Sequence, residues 1–284
     1  MKLITDISEM QSSCLSARGE GKKIGFVPTM GYLHEGHLSL IRAARADSDL
    51  VVVSIFVNPT QFGPGEDLER YPRDLERDKR MAEEAGAHLI FHPSAGEVYP
   101  EDFSTYVEET RLSEHLCGLS RPRHFRGVTT VVLKLFNIVL PDVAYFGQKD
   151  AQQALIIKRM VRDLHLPVRI DVLPIVREQD GLAISSRNEY LSPEQRREAT
   201  VLYRSLMEAR RLIGSGEREA NRIKERMKEI IESAADARID YVSIVNCDTL
   251  DDVEEVKGNI LIALAVLIGK TRLIDNLELH LGGE

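Results

Sequence analysis

Cysteine is scarce and scattered. Cys14, Cys117 and Cys247 are the three in 284 residues, and none belongs to a Cys-x-x-Cys pair. That usage excludes a disulfide framework and a zinc knuckle and fits a reducing compartment, with each thiol read as a small buried hydrophobe. Long apolar runs are missing as well. The longest, residues 260–268, falls far short of the ~20 residues a helix needs to span a bilayer. Asp6 and Glu9 interrupt the N-terminus before a signal-peptide segment can form. Basic residues are outnumbered, with 37 Lys and Arg against 45 Asp and Glu for a formal charge of −8. A non-specific nucleic-acid binder needs a positive surface field, whereas one anionic small molecule needs only a few local cations. Internal repeats and low-complexity tracts are absent too. The expectation is a cytoplasmic protein without membrane or nucleic-acid partners.

What is present is an ordinary globular composition, 43% hydrophobic and 29% charged, long enough for one large domain or a large one with a smaller companion. The chain is organised around residues 24–46. A short apolar run from Ile24 to Val27 stops at Pro28, turns through Gly31, and becomes a helical pattern on Leu33, Leu38, Leu40, Ile41 and Ala44. Such a strand–loop–helix junction brings free backbone N–H groups and the positive end of a helix dipole to the carboxyl edge of an α/β sheet, where anions bind. His34 and His37, three apart, share one face of the first turn, and Gly36 between them removes a side chain that would hold a flat ring off the backbone. Zinc motifs of the His-Glu-x-x-His kind need a spacing of four. Two plain surface histidines at a helix start are the alternative.

The rest reads in order. Residues 1–22 form an amphipathic helix ending in a Gly-containing turn. Residues 50–57 make a strand buried on both faces, ended by Asn58-Pro59 so that Gln61 and Phe62 emerge on the ligand edge. Residues 63–67 are a loop, and 71–85 a charged surface helix whose Arg70, Arg73, Asp74, Arg77 and Asp78 form a solvated face; a lid over 63–80 is a second use. Strands follow at 89–91 and, as a short extended piece, 104–107. Arg121, Arg123, His124 and Arg126 form a basic cluster suited either to phosphate or carboxylate or to an interdomain or subunit contact. Residues 128–139 read as a buried helix, 142–146 as a strand, 151–164 as a helix and 168–176 as a strand ending near Pro174. Lys149 therefore lies at a strand-to-helix junction, where an ammonium reaches phosphate oxygens, and Gln153 sits one turn in. The alternation predicts a doubly wound, Rossmann-like parallel sheet over 1–178. Beyond Asp180-Gly181 come a helix capped by Ser192 and Pro193 running to about 213, a Gly-Ser-Gly break, a second helix to about 234, and three strands at 241–245, 260–268 and 271–279. These make a smaller α+β domain over 179–284 that covers the site, with an antiparallel sheet.

Five strings carry a family resemblance across nearly the whole chain: P-T-M-G-Y-L-H-E-G-H at 28–37, F-V-N-P-T-Q-F at 56–62, H-F-R-G-V-T-T-V-V at 124–132, F-G-Q-K-D-A-Q-Q at 146–153, and A-I-S-S-R-N-E-Y-L-S at 183–192. The first resembles the His-x-Gly-His signature of the nucleotidyl-transferring superfamily, and the set is similar to the pantothenate synthetase family, which joins pantoate to β-alanine at the expense of ATP. The resemblance implies a pantoyl-adenylate intermediate with release of pyrophosphate and AMP. It implies that Met30, Gly31, Tyr32, Leu33, His34, Glu35, Gly36 and His37 front an ATP site, joined by Gly147, Gln148, Lys149, Asp150, Val176, Ile184, Ser185, Ser186 and Arg187. His37, His34, Lys149 and Arg187 would be catalytic, His37 as proton donor or charge stabiliser. Gln61, Gln153, Met30, Asn58 and Phe62 would meet pantoate, with Gln61 also near β-alanine. Magnesium would arrive on the triphosphate rather than in a protein metal site, and a homodimer is implied. Two rivals stand beside this: a plain nucleotidylyltransferase, which should lack N-P-T-Q-F and the two glutamines, and a non-catalytic ATP-sensing module, which would hardly require Lys149, His37 and Arg187 together.

Overall fold

The computed structural model describes residues 1–282. The elements in chain order are β1 (Lys2–Ile4), α1 (Ile7–Gly19), β2 (Ile24–Thr29), α2 (Glu35–Asp47), β3 (Leu50–Ile55), α3 (Leu75–Ala85), β4 (Leu89–Phe91), α4 (Ala95–Val98), α5 (Cys117–Ser120), α6 (His124–Val139), β5 (Val143–Gly147), α7 (Ala151–Asp163) and β6 (Arg169–Leu173). There follow α8 (Pro193–Glu198), α9 (Val201–Gly214), α10 (Ala220–Glu232), β7 (Ala237–Asn246), β8 (Gly258–Ile268) and β9 (Thr271–Leu281). The chain divides into two compact units, one of Met1–Thr110, Arg121–Gln148 and Gln153–Pro174, the other of Arg111–Ser120, Lys149–Gln152 and Ile175–Glu284. Two short pieces thus group with the C-terminal part.

The first unit is a six-stranded sheet in the order β1-β4-β3-β2-β5-β6, with every pair parallel. Its strands alternate in side-chain direction, and each face is covered, as a doubly wound sheet requires. Ile24, Phe26, Val52, Ala144 and Phe146 join Met10 and Cys14 of α1 and the apolar side of α6 in one core. Val27, Val51, Val53, Ile55, Val143 and Tyr145 join Leu40, Ile41 and Ala44 of α2 and Ala82 and Ala85 of α3 in the other.

Several boundaries differ from expectation. The segment before Gly19 is not one helix: Lys2–Ile4 pair with Leu89–Phe91 as an edge strand, too short to show alternation, and Asp6 caps the helix by accepting from the Glu9 N–H. β2 runs through Pro28 to Thr29, and Pro28 lies beyond the last residues paired with β5, so no bond on that side is lost. α3 begins at Leu75 rather than 71, because the Asp74 carboxylate accepts from Arg77 N at 3.0 Å. Residues 104–107 form no strand. The helix expected from 193 to 213 is two, α8 and α9, broken where Thr200 Oγ1 donates back to the Arg197 carbonyl at 2.7 Å.

In the second unit β7, β8 and β9 form an antiparallel meander. Ile260, Ile262, Leu264 and Val266 of β8 pack with Leu202, Leu206 and Ala209 of α9 and Ile223 and Met227 of α10. The Ser192 and Gln195 side chains cap α8 reciprocally, with Pro193 at its first position. Among the described residues no helix is long and apolar enough to cross a membrane.

Candidate active site

The strand order of the first unit reverses between β2 and β5, the place where open α/β sheets bind ligands. β2 pairs with β3 along Ile24–Thr29 but with β5 only at Gly25 and Phe26. The carboxyl ends of β2 and β5 therefore part, leaving a crevice at the switch point. The loop after β2 enters it with Gly31 at φ 83° and Tyr32 at φ 49°, an uncommon conformation for a residue with a side chain. What holds it is Asp78 of α3, 1% exposed, whose two carboxylate oxygens accept the Tyr32 and Leu33 N–H groups at 2.7 Å each. Arg77 lies 3.6 Å from the same carboxylate and stacks over the Tyr32 ring. Burial pushes the Asp78 carboxyl above its ordinary range, opposed by those two N–H groups and Arg77. Asp78 is thus no part of a solvated face; the charged pattern of α3 hides a buried clamp.

His34 is the N-cap of α2 and His37 its third residue. Their rings stack at 4.0 Å between centroids, tilted by 30°, over a glycine whose missing side chain makes the room: a Cβ on Gly36 would lie 2.9 Å from His34 Cε1. The His34 backbone N–H donates to His37 Nδ1 at 3.3 Å. A neutral His37 therefore carries its proton on Nε2, which leaves an N–H donor on the far side of the ring. Glu35 pairs with Arg42 along the helix.

Beside this loop a 3₁₀ turn over Pro59–Gln61 leaves β3. Asn58 is buried, and all of its bonding capacity is used inside the protein. Its Oδ1 accepts from Thr60 N, Thr60 Oγ1 and Tyr99 OH at 3.4, 2.9 and 2.8 Å, and its Nδ2 donates to Gln61 Oε1 and the Gly127 carbonyl at 3.0 and 3.1 Å. Asn58 thus fixes Gln61, whose Oε1 it occupies and whose NH₂ donates to Met30 Sδ, 3.1 Å away. Burial raises the Tyr99 hydroxyl's pKa, which keeps it a donor. The Gln61 carbonyl accepts from His124 Nδ1 at 2.8 Å. The basic cluster resolves into separate tasks. Arg121 clasps Glu66 with two bonds of 2.6 and 2.8 Å, and Arg126 stacks on Tyr106 at 3.9 Å. Burial pushes the Glu66 carboxyl up, but Arg121 outweighs it and the net shift is downward. Phe62 meets Tyr71 edge to face, and Gln153 is half-buried in the first turn of α7.

Gly127 explains its place in H-F-R-G-V-T-T. A Cβ there would sit 2.5 Å from the Thr60 carbonyl oxygen and 2.7 Å from Gln61 N, backbone atoms that cannot swing aside. Gly127→Ala should therefore destabilise the protein by about 1–3 kcal/mol through overpacking, read as a lower urea midpoint at unchanged m-value.

In the second unit Val176 and Ile184 face each other, with the Ile184 N–H donating to the Val176 carbonyl at 3.0 Å. The turn after them is built locally: Ser185 accepts from Arg187 N, and Asn188 Nδ2 donates to the Ala183 carbonyl. This roots Ser186, buried, and Arg187 at the head of a 3₁₀ turn over Ser186–Tyr190. Lys149, its side chain 21% exposed, lies 3.9 Å from the Asp150 carboxylate, and its carbonyl accepts from Asn276 Nδ2 at 3.0 Å. Gly147 ends β5 in the first unit and Gln148 opens the 3₁₀ turn that follows it. The contacts of Asp78, Tyr99 and Asn276 are not visible in the sequence because their partners are backbone groups or lie far along the chain. No group of three or more His, Cys, Asp or Glu placed to hold a metal ion occurs among the described residues.

The family model described as Pantoate-beta-alanine ligase matches residues 2–278. A pantothenate synthetase of Thermotoga petrophila is 60% identical over 276 residues, covering 97% of this chain and 99% of that protein. Another from Moorella thermoacetica is 58% identical over 280 residues, covering 99% of each. Among solved structures, the pantothenate synthetase of Thermus thermophilus matches with a TM-score of 0.92 at 46% identity, over 98% of this chain and 99% of that one. The pantoate-beta-alanine ligase of Francisella tularensis, complexed with beta-gamma ATP and beta-alanine, matches at 0.80 and 35% identity over 98% and 97%.

Proposed function

The chain belongs to the pantoate-β-alanine ligase family, and from that membership we propose how its own residues carry out ATP-dependent joining of pantoate and β-alanine. A carboxylate is a poor acyl donor because oxide is a poor leaving group. In the first step the pantoate carboxylate oxygen bonds to the α-phosphorus of ATP, the bond from that phosphorus to the bridging oxygen breaks, and pyrophosphate leaves. In the second the β-alanine amine, its ammonium proton lost, attacks the acyl carbon; the C–N bond forms, a further N–H proton leaves the nitrogen to solvent, the bond from carbon to the phosphate oxygen breaks, and AMP leaves.

The protein's part in such chemistry is positioning and stabilisation of charge on phosphorus oxygens. The observation that carries this reading is the His34–His37 pair at the start of α2, whose cap bond to Nδ1 puts the proton of a neutral His37 on Nε2. His37 serves the developing phosphorane and the departing pyrophosphate, with His34 against the backbone at the helix start. Lys149 and Arg187 contact phosphate oxygens; Met30–His37, Gly147–Asp150, Val176 and Ile184–Arg187 bind ATP. Gln61, its Oε1 held by Asn58, donates to pantoate through the second hydrogen of an NH₂ that also meets Met30 Sδ, Gln153 is its second amide, and Met30 and Phe62 cover the paired methyls. Magnesium supplies charge neutralisation on the triphosphate when bound. Three unpaired cysteines support a cytoplasmic setting, and a homodimer is the assembly we propose.

ATP–pyrophosphate exchange tests the scheme. Labelled pyrophosphate should enter ATP when pantoate is present and β-alanine absent. Exchange that waits for β-alanine, or ADP as product, would overturn the two-step order.

A further inference from the structure

Two neighbouring residues of β9, Asp275 and Asn276, are polar and almost fully buried, at 2% and 4% exposure. Successive strand residues face opposite sides of a sheet, and these two bond in opposite directions. Asp275 lies on the side of Leu273 and Leu277, which pack in the core with α9. It receives two bonds from Arg177, of 2.7 and 2.9 Å; Arg177 stacks on Tyr203 of α9 at 4.7 Å and donates to the Gly181 carbonyl at 3.0 Å. Arg177 immediately follows Val176 and bridges to Ala183, immediately before Ile184. On the other side Asn276 donates to the Lys149 carbonyl at 3.0 Å, and its own N–H donates to Asp275 Oδ1 at 2.7 Å. One couplet on one strand therefore grips both segments of this unit that carry nucleotide-binding residues.

We infer that Asn276 is a positioning residue for Lys149, and that with Asp275 it sets the spacing between the Lys149 ammonium and the 176–187 hairpin. This rests on the role proposed above for Lys149. A lysine ammonium rides on a flexible four-carbon stem, so where its backbone is pinned decides how much of its reach goes into finding the phosphate. An interior amide placed across from that one carbonyl does the pinning. Loss of the bond frees the Lys149 backbone while leaving its charge intact.

The test is a double-mutant cycle on pantoate-dependent ATP–pyrophosphate exchange, with Asn276→Ala, Lys149→Ala and the pair. Asn276→Ala should lower kcat at least tenfold with a smaller change in KM for pantoate, and in the Lys149→Ala background the same change should cost less than twofold. Asn276→Ser, small enough for the same space, provides the same comparison if the alanine variant does not fold. Losses that multiply independently, or an Asn276 variant with the exchange rate of the unaltered protein, would overturn the inference. Unimpaired exchange by Lys149→Ala alone would instead overturn the role of Lys149 and the inference with it, so the two failures are told apart by that single variant.

Discussion

His37→Ala should lower the rate of pantoate-dependent pyrophosphate exchange by about 10²–10⁴-fold, the range typical of losing a proton donor or a preorganised donor to a developing oxyanion. The fold should be affected far less. The side chain gives the structure an acceptor for the His34 N–H at the start of α2 and a ring stacked on His34, and a lost cap costs about 0.5–2 kcal/mol, a few degrees in melting temperature for a chain of this size. The two readouts separate the roles. A collapse in melting temperature with activity per folded molecule retained would make the stacked histidines a capping device and nothing more. His37→Gln offers an amide that can accept the cap bond and also donate. Recovery of stability without recovery of rate would assign the chemistry to the imidazole itself.

Asp78→Ala should be the most damaging change outside the residues proposed to touch substrate. It leaves the buried Leu33 N–H, at about 1–3 kcal/mol, and the half-buried Tyr32 N–H without their acceptor, and removes the carboxylate that clamps a turn whose Tyr32 is left-handed. A turn that relaxes carries His34 with it, and a misplacement of about 1 Å can cost about 10²-fold in rate; exchange should fall by about that much. The pH dependence has a definite sign. The folded protein holds the Asp78 proton more tightly than the unfolded chain does, so between the ordinary aspartate value near 3.8 and the raised one the folded state binds more protons. Stability from this group therefore falls as pH rises through that window. Asp78→Asn lacks the titration. The unfolding free energy of the unaltered protein minus that of Asp78→Asn should thus be larger at about pH 3.5, just below the ordinary aspartate value, than at about pH 7, and the opposite slope would mean that the carboxylate is stabilised, not strained, by its setting.

Much of this was legible along the chain, for reasons that also mark where legibility stopped. The parallel sheet announced itself because its central strands are apolar on both faces, and the loop positions of His34, Gln61, Lys149 and Ser185 because each follows a strand or opens a turn. Asp78 escaped because a carboxylate in the first turn of a charged helix looks alike whether it faces water or a loop; only the fold brings Tyr32 and Leu33 to it. Asn58 was legible as part of a turn but not as saturated, since Tyr99 and Gly127 reach it from distant parts of the sequence. β1 was too short to show a period, and Thr200 broke a helix by a bond to Arg197 that competes with the helical pattern at no visible change in hydrophobicity.

The saturation of Asn58 bears on how this enzyme could be retooled. With three donors on its oxygen and two acceptors on its nitrogen, it has no spare valence through which a new acid could be greeted, and Gly127 bars the turn from shifting aside. If the acid lies where we propose, an evolutionary or laboratory change of acyl partner is therefore channelled to the two apolar side chains, Met30 and Phe62, which can be trimmed or enlarged while Asn58 keeps hold of the Gln61 amide.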